Sequence, residues 1–162
     1  MALKHFSDEH PLIYYKVSGY GMQCDGCNER TEGGIFRCRE CDFVLHKSCA
    51  ELPQVLQHPI HLKFMTTKLT LFRRSIIYTC DVCGKEGKRM PYQCDVCAYW
   101  VDPKCTSFLR TVRHIRHERP LNLINSLNID HFENPFCEIC AKKVDINYKL
   151  YHCSKCDFVC PP

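Results

Sequence analysis

Pairs of cysteines spaced two residues apart are the feature of this chain that can do chemistry, because two such thiolates chelate one metal ion. The chain has 162 residues and fifteen of them are cysteine. Cys24, Cys27, Cys38, Cys41 and Cys49 return as Cys80, Cys83, Cys94, Cys97 and Cys105, each 56 positions later (80 − 24 for the first). A third copy begins with Cys137 and Cys140 and continues with Cys153 and Cys156. Self-similarity at tens of residues marks an array of small units, and paired thiols inside each unit need something to bind.

Disulfides are the competing use of so many thiols, and small cysteine-dense domains are usually secreted. Three observations favour zinc instead. The first ten residues, Met1 to His10, have neither the apolar core nor the small-residue cleavage site of a signal peptide. The odd number of cysteines would leave one thiol unpaired. Two cysteines separated by two residues also make a poor structural disulfide and a good chelate. No apolar run approaches the length that spans a bilayer, so no transmembrane segment is expected. A reducing compartment follows, cytoplasm or nucleus.

Metal-supported folding also agrees with size. Each unit has about 50 residues, too few to bury a comfortable apolar core. Structural zinc supplies roughly 10–16 kcal/mol of apparent binding energy per site in finger peptides. The net charge of +4, from 22 basic and 18 acidic residues, is too modest to nominate a partner.

The elements that must position these thiols read as three tandem modules covering 5–58, 61–114 and 117–162. His58-Pro-Ile-His61 and His114-Ile-Arg-His117 join them without a Gly/Ser linker, so their orientations are expected to be restricted. The expected fold class is small zinc-stabilised α+β modules, with short antiparallel β-strands and one short helix in each. Leu69–Leu71 and Ser75–Tyr78 read as two strands around the basic turn Arg73-Arg74. Phe36, Tyr92 and Tyr151 each stand two residues before a cysteine pair. The triplets Phe43-Val44-Leu45 and Tyr99-Trp100-Val101 follow a pair, and all these side chains are assigned to miniature cores. A helix over 46–52 would be stopped by Pro53.

Module one reads Cys24-x2-Cys27-x10-Cys38-x2-Cys41-x4-His46-x2-Cys49-x8-His58, preceded by His10. Structural zinc takes four tetrahedral N/S ligands, so eight candidates make two sites, each closed by a distant pair. The run Cys38-Arg-Glu-Cys41-Asp-Phe-Val-Leu-His46-Lys-Ser-Cys49, with His10-Pro-Leu, Cys24-Asp-Gly-Cys27 and His58-Pro, resembles the plant Cys/His-rich divergent C1 (DC1) family. These are relatives of the diacylglycerol-binding C1 fingers of protein kinase C. The resemblance implies interleaved sites, with Cys24 and Cys27 sharing a zinc with His46 and Cys49, and Cys38 and Cys41 sharing one with His10 and His58. His5 rivals His10, because strict register with His61 and His117 favours it, whereas the family's loop length favours His10.

Module two offers His61, Cys80, Cys83, Cys94, Cys97, Cys105 and His114, but Asp102 stands where module one has His46. Thr67 occupies the position where the family start has its histidine, and His61 is the substitute. A carboxylate is a less common structural zinc ligand. One or two zincs are therefore expected here against two in module one, with Asp102 or water completing the weaker site. Module three offers His117, Cys137, Cys140, Cys153 and Cys156, while Cys160 is followed only by Pro161 and Pro162. Two full sites cannot form there, and a truncated, partly folded half-module is expected.

Several function classes are set aside. A thioredoxin-like Cys-x-x-Cys needs a helix N-terminus in a βαβ setting, and a RING finger needs its histidine between the cysteine pairs. A catalytic zinc needs an open position with a nearby base. No enzymatic activity is expected. The loops Asn28–Arg37 and Gly84–Gln93 carry several charges and lack the Gln-Gly of diacylglycerol-binding fingers, so that lipid is not the expected ligand. The expectation is a zinc-binding repeat that engages a protein partner in intracellular signalling. Nucleic acid is the alternative, because Lys104, Arg110, Arg113, Arg116 and Arg119 cluster between modules two and three, with Lys63, Lys68, Arg73 and Arg74 before them.

Overall fold

The computed structural model describes residues 2–18, 21–58, 60–61, 68–125 and 135–162; Lys63 and Thr67 lie outside them. The first 50 residues alternate strands and tight turns. Strands β1 (Ala2–Leu3), β2 (Leu12–Val17), β3 (Gly33–Cys38) and β4 (Val44–His46) form an antiparallel sheet in the order β1-β2-β3-β4. The β-branched and aromatic run Leu12-Ile-Tyr-Tyr-Lys-Val suits a pleated surface. Leu12 is fully buried while Tyr14 and Tyr15 face out.

The same sheet is built twice more. Strands β5 (Val55–Leu56), β6 (Leu69–Leu71), β9 (Tyr92–Cys94) and β10 (Trp100–Val101) are ordered β10-β9-β6-β5, with the small ribbon β7 (Tyr78–Thr79) and β8 (Glu86–Gly87) between β6 and β9 in sequence. The third sheet runs β11 (Thr111–His114), β12 (His117–Ile124), β13 (Leu150–His152), β14 (Val159–Cys160). Leu69 and Leu71 point inward on either side of Thr70, as period-two alternation requires. The third unit therefore has a complete four-stranded sheet and its own buried cluster of Leu121, Leu150, Tyr151 and Val159, which a half-module would lack.

Local details depart from expectation for identifiable reasons. The first strands of sheets two and three come from 55–56 and 111–114, upstream of His61 and His117, so the chain feeds each unit's sheet before its predecessor's sequence repeat has ended. No strand covers Ser75–Ile77. There the Ser75 N–H donates to the Asp25 carbonyl of unit one and the Ile76 N–H to Arg89. The helix α1 shrinks to Lys47–Ala50. Its counterpart in unit two is a 3-10 turn, Pro103–Ser107, capped by the Asp102 carboxylate on the Lys104 N–H.

Units one and two share one core. Leu12, Phe36 and Leu45 belong to the same buried cluster as Leu69, Val82, Met90 and Tyr92. At the junction the Met90 N–H donates to the Gly26 carbonyl at 2.6 Å, and the Met90 side chain is fully buried. A Cβ on Gly26 would lie 3.0 Å from the Met90 Cε, the Cys49 Cβ and a Leu45 methyl, so this glycine permits the close approach. The contact recurs one repeat later, where the Lys149 N–H donates to the Val82 carbonyl at 2.9 Å.

Met90 is thus a structural residue of both of the first two units. Met90→Ala in the metal-loaded protein is expected to cost about 2–5 kcal/mol. Chemical denaturation should show that loss in one transition followed by probes in either unit.

Candidate metal centres

The first cysteine pair of each unit forms the same tight turn. The carbonyls of Cys24, Cys80 and Cys137 accept the N–H groups of Asn28, Gly84 and Ala141 at 2.8, 2.8 and 2.7 Å. The accepting turn forces those three residues to positive φ, +61° for Asn28, +72° for Gly84 and +54° for Ala141. Asn and Gly tolerate this region and Ala does so at a cost.

An aspartate then ties the turn to the strand that delivers the distant ligands. Asp25 Oδ2 accepts the Val44 N–H at 2.8 Å while its own N–H donates to the Val44 carbonyl at 2.8 Å. Asp81 repeats the clamp on Trp100, at 2.6 and 2.9 Å. With the strand held there, the next N–H but one points at a sulfur: His46 N–H to Cys24 Sγ and Asp102 N–H to Cys80 Sγ, both 3.3 Å. Asp25 and Asp81 were not among the residues singled out from sequence. Their signal there is the Cys-Asp-x-Cys form of both pairs.

Cys24, Cys27, His46 and Cys49 come together, with their ligand atoms within 4.8 Å of one another. His46 Nδ1 lies 3.3 Å from Cys27 Sγ and 4.0 Å from Cys49 Sγ, and its Nε2 is 3.1 Å from the Arg30 carbonyl. That outer hydrogen bond puts the proton on Nε2 and leaves the Nδ1 lone pair for a metal. The Cys24 thiol is held far below its usual range, at about 4, by a hydrogen bond from Cys49 and by the N–H groups of His46, Cys27 and Gly26, against the opposing effect of burial. Zinc fits this set. Tetrahedral bonds of about 2.0–2.3 Å place ligand atoms about 3.3–3.8 Å apart, near the 3.3 and 4.0 Å already present between His46 Nδ1 and the two sulfurs.

Unit two repeats only the three thiols, Cys80, Cys83 and Cys105, with Cys80 and Cys105 Sγ 3.8 Å apart. Asp102, which with water is one of the two expected ways of completing this site, is not in the group. Its carboxylate turns away to accept the Tyr78 hydroxyl at 2.9 Å, the Lys104 N–H at 2.8 Å and the Arg89 Nε–H at 3.2 Å.

The second kind of group closes across the sheet. His61 joins Cys94 and Cys97, its Nε2 3.2 and 3.4 Å from the two sulfurs, with its ring stacked on Tyr99 at 4.4 Å. His117 joins Cys153 and Cys156 in the same way, Nε2 at 3.0 Å from Cys156, while its Nδ1–H donates to the Arg119 carbonyl at 2.7 Å. In unit one the group is Asp8, His10, Cys38 and Cys41. Asp8 was absent from the sequence reading, yet Cys41 Sγ lies 3.0 Å from its Oδ2 and the His10 ring 3.3 Å from its Oδ1. His5 is buried beside Phe6 with its Nε2 unpartnered among the described residues.

The remaining candidates lie apart from these groups. His58 Nδ1 accepts the Ile60 N–H at 3.1 Å and His114 Nδ1 accepts the Arg116 N–H at 3.2 Å, so both histidines cap the turn leading into the next unit. Cys137 and Cys140 keep their turn, and among the described residues no third donor lies within the same reach. The Cys160 thiol is pushed up to about 11 by burial and by the nearby charge of Cys137 and Cys140.

Comparison with known proteins agrees with this geometry. The C1 domain family matches the chain three times, over 6–50, 57–106 and 115–160. No curated protein and no solved structure matches it.

The two residues at the same repeat position should respond differently to substitution. His46→Ala is expected to lose one zinc per chain, whereas Asp102→Asn should leave the zinc count unchanged. Native mass spectrometry of zinc-loaded protein measures both.

Proposed function

Because the chain belongs to the C1 domain family, as a divergent zinc-binding repeat with Cys/His clusters in every unit, we propose that it is a non-enzymatic, intracellular interaction module with a protein partner. Among the described residues, no helix is long and apolar enough to cross a membrane. The observation that carries the reading is the division of labour between inside and outside. The thiols and histidines of the clusters hold strands together, and the acidic groups around them, Asp25, Asp81 and Asp102, are spent on backbone and ion-pair contacts. Large apolar side chains meanwhile stand in solvent, among them Ile77, Val96, Leu109, Ile115 and Phe136. Exposed apolar groups of this size are the material of protein contacts.

The unit-two loop that would bind diacylglycerol in a C1 finger is already engaged. Arg89 in it pairs with Glu29 of unit one at 3.3 Å, and Met90 is buried against Gly26. This supports leaving diacylglycerol out of the proposal. We also place the zinc stoichiometry at two for unit one, with fewer in units two and three.

A second reading rests on one feature. The hairpin β11–β12 exposes Arg110, Arg113, Arg116 and Arg119, none of them in an ion pair among the described residues. Such a basic ribbon suits phosphate, which makes nucleic acid the alternative partner. Arg73 does not contribute to it, because its guanidinium is hydrogen-bonded to the Phe6 carbonyl.

The two readings separate on salt. A gel shift with generic RNA and duplex DNA is expected to show no complex at about 150 mM salt, where a ribbon binding several phosphates would still titrate steeply with salt. Cross-linked protein partners of the zinc-loaded chain should survive that salt and disappear when the chain is stripped of metal. Retention of partners by stripped protein would sink the interaction-module reading.

A further inference from the structure

We propose that the Cys80/Cys83/Cys105 group of unit two is a three-thiolate site for a thiophilic ion that takes three sulfurs and no fourth ligand, with trivalent arsenic as the fitting class. The inference rests on the metal-held reading of these units. Its starting point is the comparison of two positions one repeat apart. The backbone is the same at both: the N–H of His46 and that of Asp102 each donate to the first cysteine's sulfur at 3.3 Å. The side chains part company. The His46 ring turns into the thiol group, and the Asp102 carboxylate turns out of it.

Asp102 is held out by three partners on its two oxygens. Tyr78 is buried and donates its hydroxyl, Arg89 lies alongside at 3.2 Å, and the Lys104 N–H completes the cap of the 3-10 turn. Arg89 in turn reaches Glu29 of unit one. Drawing the carboxylate inward would undo a cap, an ion pair and a buried hydroxyl's hydrogen bond together. Among the described residues the donor set thus does not fit a four-coordinate structural zinc, which would need a water or an outside ligand in the fourth place.

Three sulfurs alone suit a different ion. Soft thiolate ligands select soft ions, and an ion whose lone pair fills the fourth direction asks for nothing more. Cys80 and Cys105 are buried, Cys83 is half-buried, and the three sulfurs lie within 4.8 Å of one another. The chemistry balances without any redox step. Arsenous acid, As(OH)3, loses three As–O bonds and gains three As–S bonds. Three protons, from the thiols or from solvent where thiolates start, leave with the hydroxyl groups as three waters.

The other groups differ where it matters. Cys24, Cys27 and Cys49 also supply three sulfurs, but His46 joins them as a fourth donor and makes the set that fits zinc. The His61 and His117 groups hold two sulfurs each and cannot make three As–S bonds.

The test is an arsenite titration of the full zinc-loaded chain, followed by ultraviolet As–S absorption and by native mass spectrometry. The expected result is one arsenic per chain, with the unit-one zinc retained, and loss of that arsenic in Cys105→Ser. Asp102→His, which restores the fourth donor, is expected to weaken arsenite competition against zinc by about tenfold or more. Asp102→Asn breaks the Arg89 pair without adding a donor and should bind arsenite as the parent chain does, so it stands in if the histidine variant fails to fold. Arsenic binding that survives Cys105→Ser, or that displaces the unit-one zinc first, would overturn the proposal. So would a parent chain that holds a four-coordinate zinc at Cys80/Cys83/Cys105 and resists arsenite as unit one does. A chain that binds neither zinc nor arsenic at any group would overturn the metal-held reading itself.

Discussion

A cysteine pair supplies half of a metal site, and the rest of this structure depends on bringing the other half to it across a sheet. In unit one the distance in sequence is about twenty residues, from Cys24 and Cys27 to His46 and Cys49. Loop closure of that length carries an entropy cost which a unit of this size cannot recover from apolar burial alone. The clamp of Asp25 on the Val44 backbone, made by its side chain and its own N–H, lowers that cost by aligning the strand that carries the distant ligands. Once β4 is in place, the His46 N–H and its ring both face the sulfurs. Metal binding and sheet formation are thus one event, as coupled folding and binding requires.

The units are also not independent beads. The first cysteine turns of units one and two are used from both sides: their sulfurs face the metal group, and the third residue's carbonyl accepts an N–H from the following unit. Gly26 accepts Met90 and Val82 accepts Lys149, two positions that each stand four residues before the third cysteine of their unit. A rigid turn is a good docking point because its orientation is already fixed by the φ-positive residue behind it. Units one and two go further and merge their cores around Met90, so a disturbance at one metal group is transmitted through packed side chains rather than through a linker.

What the sequence made legible follows from which forces are local. The 56-residue period, the metal-ligand spacing and the burial of Phe36, Tyr92 and Tyr151 are all written in short segments, and the structure has each of them. The strand Leu69–Leu71 was legible for the same reason, through alternation. The misplaced elements are those decided by a neighbouring unit. Ser75–Ile77 has strand-forming residues, but the Ser75 N–H is drawn to the Asp25 carbonyl of unit one, and the Ile76 N–H to Arg89 at the seam between the two units. The use of 55–56 and 111–114 as the first strands of following sheets depends on tertiary pairing that no local pattern announces. Asp8 is not legible in the sequence because a carboxylate two residues before His10 acquires meaning only when Cys41 folds against it.

Asp102 shows how one substitution at a repeat position is stabilised by its surroundings rather than by the metal. A carboxylate left beside three thiolates would add negative charge to a buried, already electron-rich group, which is costly without a strongly held cation. Turning outward gives it Arg89, Tyr78 and a helix cap instead, all charge-assisted or well-directed hydrogen bonds. Arg89 is available for this role because it sits at the seam between units one and two, where it also holds Glu29. The lost ligand of one site has thereby become part of the contact that fixes two units together. The position tolerates aspartate for a mechanical reason, and the open three-sulfur group beside it is the chemical consequence.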